Sequence, residues 1–311
     1  MIASFETLLP VFLVIGLGFA LRSRHVVPEE MWRGVELVAY WVFFPALLVD
    51  TLARADIASL PLGAITVTMV GAFFAMALML LAARPILLRT LAIDGPGFSS
   101  LFQSATRWNG FIALPILAKL LGEEGVALVA VIIGALVPVA NVMAVTVVAR
   151  NVAHNRLSWT ETAYVVFRNP FIWATAAGLV INFAGIPVYG PLLSAAGMLG
   201  GAAVGAGLLM VGAGLSTDEG FRPSPAVWAG TALKLLGTPL LVTGFSLVTG
   251  VTGNAYLACM VCASVPTAMS AYVLARQMGG DAPLVAATVT MQTIASFLTM
   301  PFVIAIAGYL R

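Results

Sequence analysis

Charge is what this sequence has least of. Aspartate, glutamate, lysine and arginine make up 9% of its 311 residues, and hydrophobic residues make up 61%. Soluble domains carry about 25% charged residues. A surface this poor in charge excludes a water-soluble globular fold, and the chain reads as an integral membrane protein. The formal net charge is +2. Its basic residues are scattered through predicted loops, so there is no concentrated patch for nucleic acid. Cysteine is nearly absent. Cys259 and Cys262 are the only two, on one face of one predicted helix, and they read as small buried hydrophobes. Both histidines, His25 and His154, fall in predicted loops, so no metal or cofactor is expected. Neither of the two lysines, Lys119 and Lys234, follows a G-x-x-x-x-G run, which excludes an ATP-binding P-loop. A basic leader is missing too: Glu6 stands where one would be. The start of the chain therefore reads as a retained span rather than a signal peptide.

What is present is length and apolar runs. The chain has room for about ten spans of roughly 20 residues with short connections. They are placed at about 3–21, 35–53, 60–83, 98–121, 125–149, 169–186, 191–215, 226–249, 254–277 and 282–310. Arginines orient them. Arg22, Arg24, Arg33, Arg84, Arg89, Arg150, Arg156, Arg168, Arg222 and Arg276 fall in the odd-numbered loops, whereas the other side has Arg54, Lys119 and Arg311. The odd loops are therefore cytoplasmic and both termini extracytoplasmic, in an inner (plasma) membrane.

The chain divides at its polar middle. Residues 1–150 form a first five-span repeat, 151–168 a cytoplasmic connecting loop and 169–311 a second five-span repeat. Five is odd, so the halves run in opposite orientations. Echoes support this: Pro10 and Gly18 are spaced like Pro170 and Gly178. The expected fold is all-α, with ten transmembrane helices in two inverted repeats.

Spans 4 and 9 are polar in the middle. Arg107, Asn109, Gly110 and Pro115 interrupt the first; Ser264, Pro266, Thr267 and Ser270 interrupt the second. Proline removes a backbone donor, so the first helix should break between Asn109 and Pro115. In hydrocarbon such a break is tolerable only if buried in protein or lining a cavity. Two broken helices in corresponding positions of two halves point to a transporter binding site.

Each candidate has a competing role. Asn109 could bond a substrate or simply cap the second half-helix. Pro115 and Pro266 would each start a half-helix whose amides and dipole favour an anion, or would only kink it. Lys234 lies inside the hydrocarbon region, where a charge is costly; it could meet an anion or snorkel to the interface. Arg107 could neutralise an entering anion or pair with lipid phosphate. Gln103, Thr106, Asn141, Thr267, Ser270, Gln292 and Ser296 could bond across helices, with one or two lining the pathway. Gly197, Gly201 and Gly205 at four-residue spacing, with Gly200, Gly207, Gly212 and Gly214 nearby, read as a face for close helix packing, or as a sliding surface between two moving bodies.

The run Arg107-Trp108-Asn109-Gly110-Phe111-Ile112-Ala113-Leu114-Pro115 resembles the N-x-[FY]-x-[GA]-x-P signature in the fourth span of auxin efflux carriers. Phe44-Pro45-Ala46-Leu47, Asn169-Pro170, Ser264-Val265-Pro266-Thr267-Ala268 and Met300-Pro301 fit as well. The resemblance spans essentially the whole chain. It implies two inverted repeats whose spans 4 and 9 cross at their prolines beside the substrate, with Asn109, Pro115 and Pro266 at the crossover. Plant members carry the indole carboxylate auxin; bacterial relatives are linked to malate, malonate and other small carboxylates. Plant members often have glycine where this chain has Ala113, and an asparagine one residue further from the proline.

The reading is thus a secondary transporter of small organic anions working by alternating access. Substrate-binding candidates are Asn109, Gly110, Pro115, Pro266, Thr267, Lys234, Arg107 and Gln292. The expected partners are a small carboxylate and the lipid bilayer, with a homodimer left open. One alternative is a membrane sensor that binds a carboxylate without moving it. A membrane-embedded enzyme is disfavoured, because no histidine and no carboxylate pair lies in a predicted span.

Overall fold

Hydrocarbon offers no water to backbone amides, so a chain this apolar folds into helices that satisfy their own. The computed structural model describes residues 2–55, 60–152, 170–215 and 223–309. Among them every regular element is helical. Helix α1 is Ile2–Ser23. Helix α2, Glu29–Val38, passes through a wide π turn at Ala39–Phe43 into α3, Phe44–Arg54. Then come α4, Leu62–Thr90, α5, Gly95–Thr106, and α6, Gly110–Asn151. In the second half α7 is Pro170–Phe183 and α8 is Gly190–Ala213. Helix α9, Pro225–Ala232, runs through a second π turn at Leu233–Gly237 into α10, Thr238–Thr249. Last are α11, Gly253–Ser264, α12, Ser270–Met278, and α13, Ala282–Tyr309.

Six helical stretches among the described residues are long and apolar enough to cross a membrane. One of them, Gly95–Asn151, has 57 residues, far more than the roughly 20 that one crossing needs. It is interrupted twice. The helix stops at Thr106 and restarts at Gly110, and inside α6 Gly122 takes a non-helical conformation with φ 61° and ψ −138°. That positive φ suits glycine, which has no Cβ to clash.

Both π turns immediately precede a proline near the start of the next helix, Pro45 and Pro239. Proline has no N–H for the preceding turn and its ring crowds the carbonyl there. Widening the turn relieves that crowding. The second π turn carries Lys234.

The helices pack as two groups. Helix α1 lies along α8, and α3 lies against α7 and α8. In the other group α4 pairs with α10, α11 with α6 and α13, and α5 with α6, α9 and α13. Helix α6 touches both groups. The α1–α8 contact is close because a Cβ on Gly18 would strike the Leu209 carbonyl and one on Gly212 the Ile15 carbonyl. Of the glycine stripe, Gly201 and Gly205 face open space, whereas Gly197 packs on Asp50, Gly200 on Leu47 and Gly207 on Phe44. Large apolar side chains such as Met198, Leu247 and Val248 are more than four-fifths exposed, as a lipid-facing surface requires.

Candidate functional site

The two interruptions meet. Helix α5 starts at Asp94, whose side chain accepts from the Gly97 amide at 2.8 Å, and ends at Thr106. Helix α11 ends at Ser264, before an irregular segment from Val265 to Met269. Each half-helix is 12 residues long and leaves carbonyls without helical donors at its end. Side chains from elsewhere supply them. The Thr267 hydroxyl donates to the Ser104 carbonyl at 2.6 Å. Gln292 of α13 accepts from the Thr267 amide at 2.8 Å, and its Nε2 donates to the carbonyls of Ser104 at 2.9 Å and Gly230 at 3.1 Å. All of this is buried. One amide side chain thus holds the two breaks and α9 together.

Asn109 is 2% exposed and is the N-cap of α6, its Oδ1 accepting from the Phe111 amide at 3.0 Å. The capping role is therefore filled. Gly110 is the first residue of α6, and a Cβ there would find its nearest neighbour, Ile133, 3.9 Å away. The backbone at this point is open to approach.

Arg107 lies in the first break. Its guanidinium donates to Asn141 Oδ1 at 2.8 Å and to Ser270 Oγ at 3.1 Å. It ties the first break to α6 and to the start of α12, which replaces the lipid-phosphate reading. The partner Asn141 carried no sequence signal beyond being polar in a span.

Pro266 stands within the second break, as expected. Pro115 does not stand at the first. It is the sixth residue of α6 and buried, because the Asn109 cap has already restarted the helix at Gly110. Its missing N–H leaves the Phe111 carbonyl without its helical donor.

Lys234 is 1% exposed, so it does not snorkel. It lines a cavity of about 20 Å³ with Ala105, Thr106, Trp108, Thr238 and Cys262. That volume suits about one water and is too small for a carboxylic acid in this conformation. Cys259 and Cys262 are buried and free.

Sequence reasoning missed an aromatic wall. Phe111, two residues after Asn109, stacks on Phe44 with centroids 4.4 Å apart, and Phe44 stacks on Phe171 at 5.6 Å. Tyr40 lies 5.3 Å from Phe171. The wall packs α3, α7 and the π turn before α3 onto the start of α6, beside the first break. Its only signal was the Phe44-Pro45 pair and Phe111 itself. The arrangement therefore combines polar, partly unwound backbone with a flat apolar surface.

Comparison with known proteins adds to this geometry. The profile of a family described as membrane transport protein matches residues 3–304. The chain is also similar to a protein of Methanothermobacter thermautotrophicus described as an uncharacterized transporter. The two are 29% identical over 309 residues, which is 96% of each chain.

Proposed function

The chain belongs to the membrane transport protein family, the group of the auxin efflux carriers, and we propose that it is a secondary carrier of small organic anions working by alternating access. The observation that carries this reading is the clasp of two broken helices by Thr267 and Gln292. Unwound backbone inside a membrane protein is held where a substrate or ion is handled. Here the first of the two breaks adjoins the aromatic wall at the start of α6, the helix that touches both groups.

In this reading the carboxylate lies at the N-terminus of α6. It accepts from Asn109 Nδ2 and from the Gly110 backbone amide at the start of α6. Arg107 supplies positive charge nearby, and the Phe44 and Phe111 rings receive the apolar body. Pro115, Pro266, Gln292 and Lys234 shape the site from behind. Ten spans in two inverted repeats, divided by the 151–168 loop, fit the matched pair of 12-residue half-helices that end at a break. That loop lies almost wholly outside the described residues. With the odd loops cytoplasmic, both termini face out of the cytoplasm.

The test is flux. Proteoliposomes holding the purified chain should take up labelled small mono- or dicarboxylates, and protein-free liposomes should not. Saturable binding without uptake would favour a sensor instead. Neither binding nor uptake across a broad carboxylate panel would overturn the reading.

A further inference from the structure

Helices α5 and α11 present their C-terminal ends to one another, and such ends carry partial negative charge. Their carbonyls can be followed one by one. In α11 the helical donor to the Cys262 carbonyl would be residue 266, which is proline and has no N–H. The donor to Ala263 would be Thr267, whose N–H goes to Gln292. In α5 the Gln103 carbonyl takes the Arg107 amide at 2.9 Å, and Ser104 is bonded by Thr267 and Gln292. The Ala105 carbonyl receives the Thr238 hydroxyl at a long 3.4 Å. Ala105 and Thr106 from one end, and Cys262 and Ala263 from the other, line the cavity that Lys234 enters.

No carboxylate lines that cavity, and the buried ammonium forms no hydrogen bond or ion pair among the described residues. Each helix end is worth about half an elementary charge, so the two together roughly match one ammonium. The cavity has room for about one water to relay its bonds.

We propose that Lys234 is a tethered cation occupying a monovalent-cation site made by the C-terminal ends of α5 and α11. Half-helix C-termini and unwound carbonyls are the groups that bind coupling cations in secondary carriers. Here the positive charge is part of the chain, so the site takes no free sodium. Its meaning for transport, substrate movement without sodium coupling, rests on the carrier reading above. The cation site itself does not.

Thermal unfolding of the purified full chain, in sodium chloride against choline chloride at equal ionic strength, tests this. The wild type should melt at the same temperature in both. Lys234→Ala should melt several degrees lower in choline and recover with sodium, saturably, because truncation leaves space for the ion and binding stabilises the folded state. Lys234→Met fills the space without charge and should melt lower in both salts. Isolation of Lys234→Ala in sodium but not in choline counts as recovery. A saturable sodium-specific rise in the wild type would overturn the proposal. So would a Lys234→Ala protein indifferent to sodium or lost in both salts, or a Lys234→Met protein as stable as the wild type. The readout is stability rather than flux, so it can fail while the carrier reading stands, and the reverse.

Discussion

The Thr267 hydroxyl reaches across from the second helix break to the Ser104 carbonyl beside the first, at 2.6 Å. The two residues are 163 apart in the chain. The bond gives an orphan carbonyl a donor and gives the irregular segment an anchor. Gln292 completes the clasp from a third helix.

Gln292→Leu should be strongly destabilising. It strands the buried Thr267 amide, at about 1–3 kcal/mol, and takes one donor each from the Ser104 and Gly230 carbonyls, which keep the Thr267 hydroxyl and the Leu233 amide. Gln292→Glu keeps the acceptor for Thr267 but loses both donors, so it should also lower the melting temperature. A melting temperature for Gln292→Leu equal to that of the wild type would mean that the breaks hold themselves.

Asn109 separates scaffold from ligand. Aspartate caps about as well as asparagine, and alanine loses about 0.5–2 kcal/mol. Asn109→Ala should therefore melt lower and Asn109→Asp should not. If Asn109 also bonds the carboxylate, both should weaken binding. The alanine change should remove about 1.5–3 kcal/mol, roughly ten- to hundredfold in affinity. Aspartate, if ionised, should be worse through repulsion. Affinity retained in Asn109→Asp would leave Asn109 a cap and nothing more.

Two glycines on the same helix should behave oppositely. Gly212→Ala puts a methyl into the Ile15 carbonyl, with no flexible side chain to yield. It should cost 1–3 kcal/mol or more, as overpacking does. Gly201→Ala enters open space and should be neutral, or stabilising by up to about 1 kcal/mol through helix propensity. Melting temperatures of the two variants check the α1–α8 packing directly.

Orientation can be read by labelling. After Cys259 and Cys262 are replaced, single cysteines at Ser4 and Asn155 should react with a membrane-impermeant thiol reagent from opposite sides. Reaction from one side only is incompatible with five spans between them.

The membrane class, the all-helical fold and the two interrupted helices were legible because they follow from composition and local backbone chemistry. A chain with 9% charge has no other stable home, and Asn109-Gly110 and Val265-Pro266 disturb a helix wherever they stand. Pro115 was misplaced because proline signals a lost donor but not whether a neighbouring cap has already restarted the helix. For Lys234 both meeting an anion and snorkelling stayed open, because length and charge alone permit either, and its burial removes the second.

The sequence by itself determined which polar groups lie within the apolar runs and where the backbone must leave donors and acceptors unpaired. Only the tertiary structure decided who satisfies whom. Gln292 finds Ser104 across 188 residues and Gly230 across 62, and Arg107 finds Ser270 across 163. Lys234, carried on a π turn, is buried against the walls of its cavity. A side chain's hydrogen-bonding capacity is a property of its residue type. Its partner depends on helix packing, which sums many weak contacts no short stretch of sequence contains.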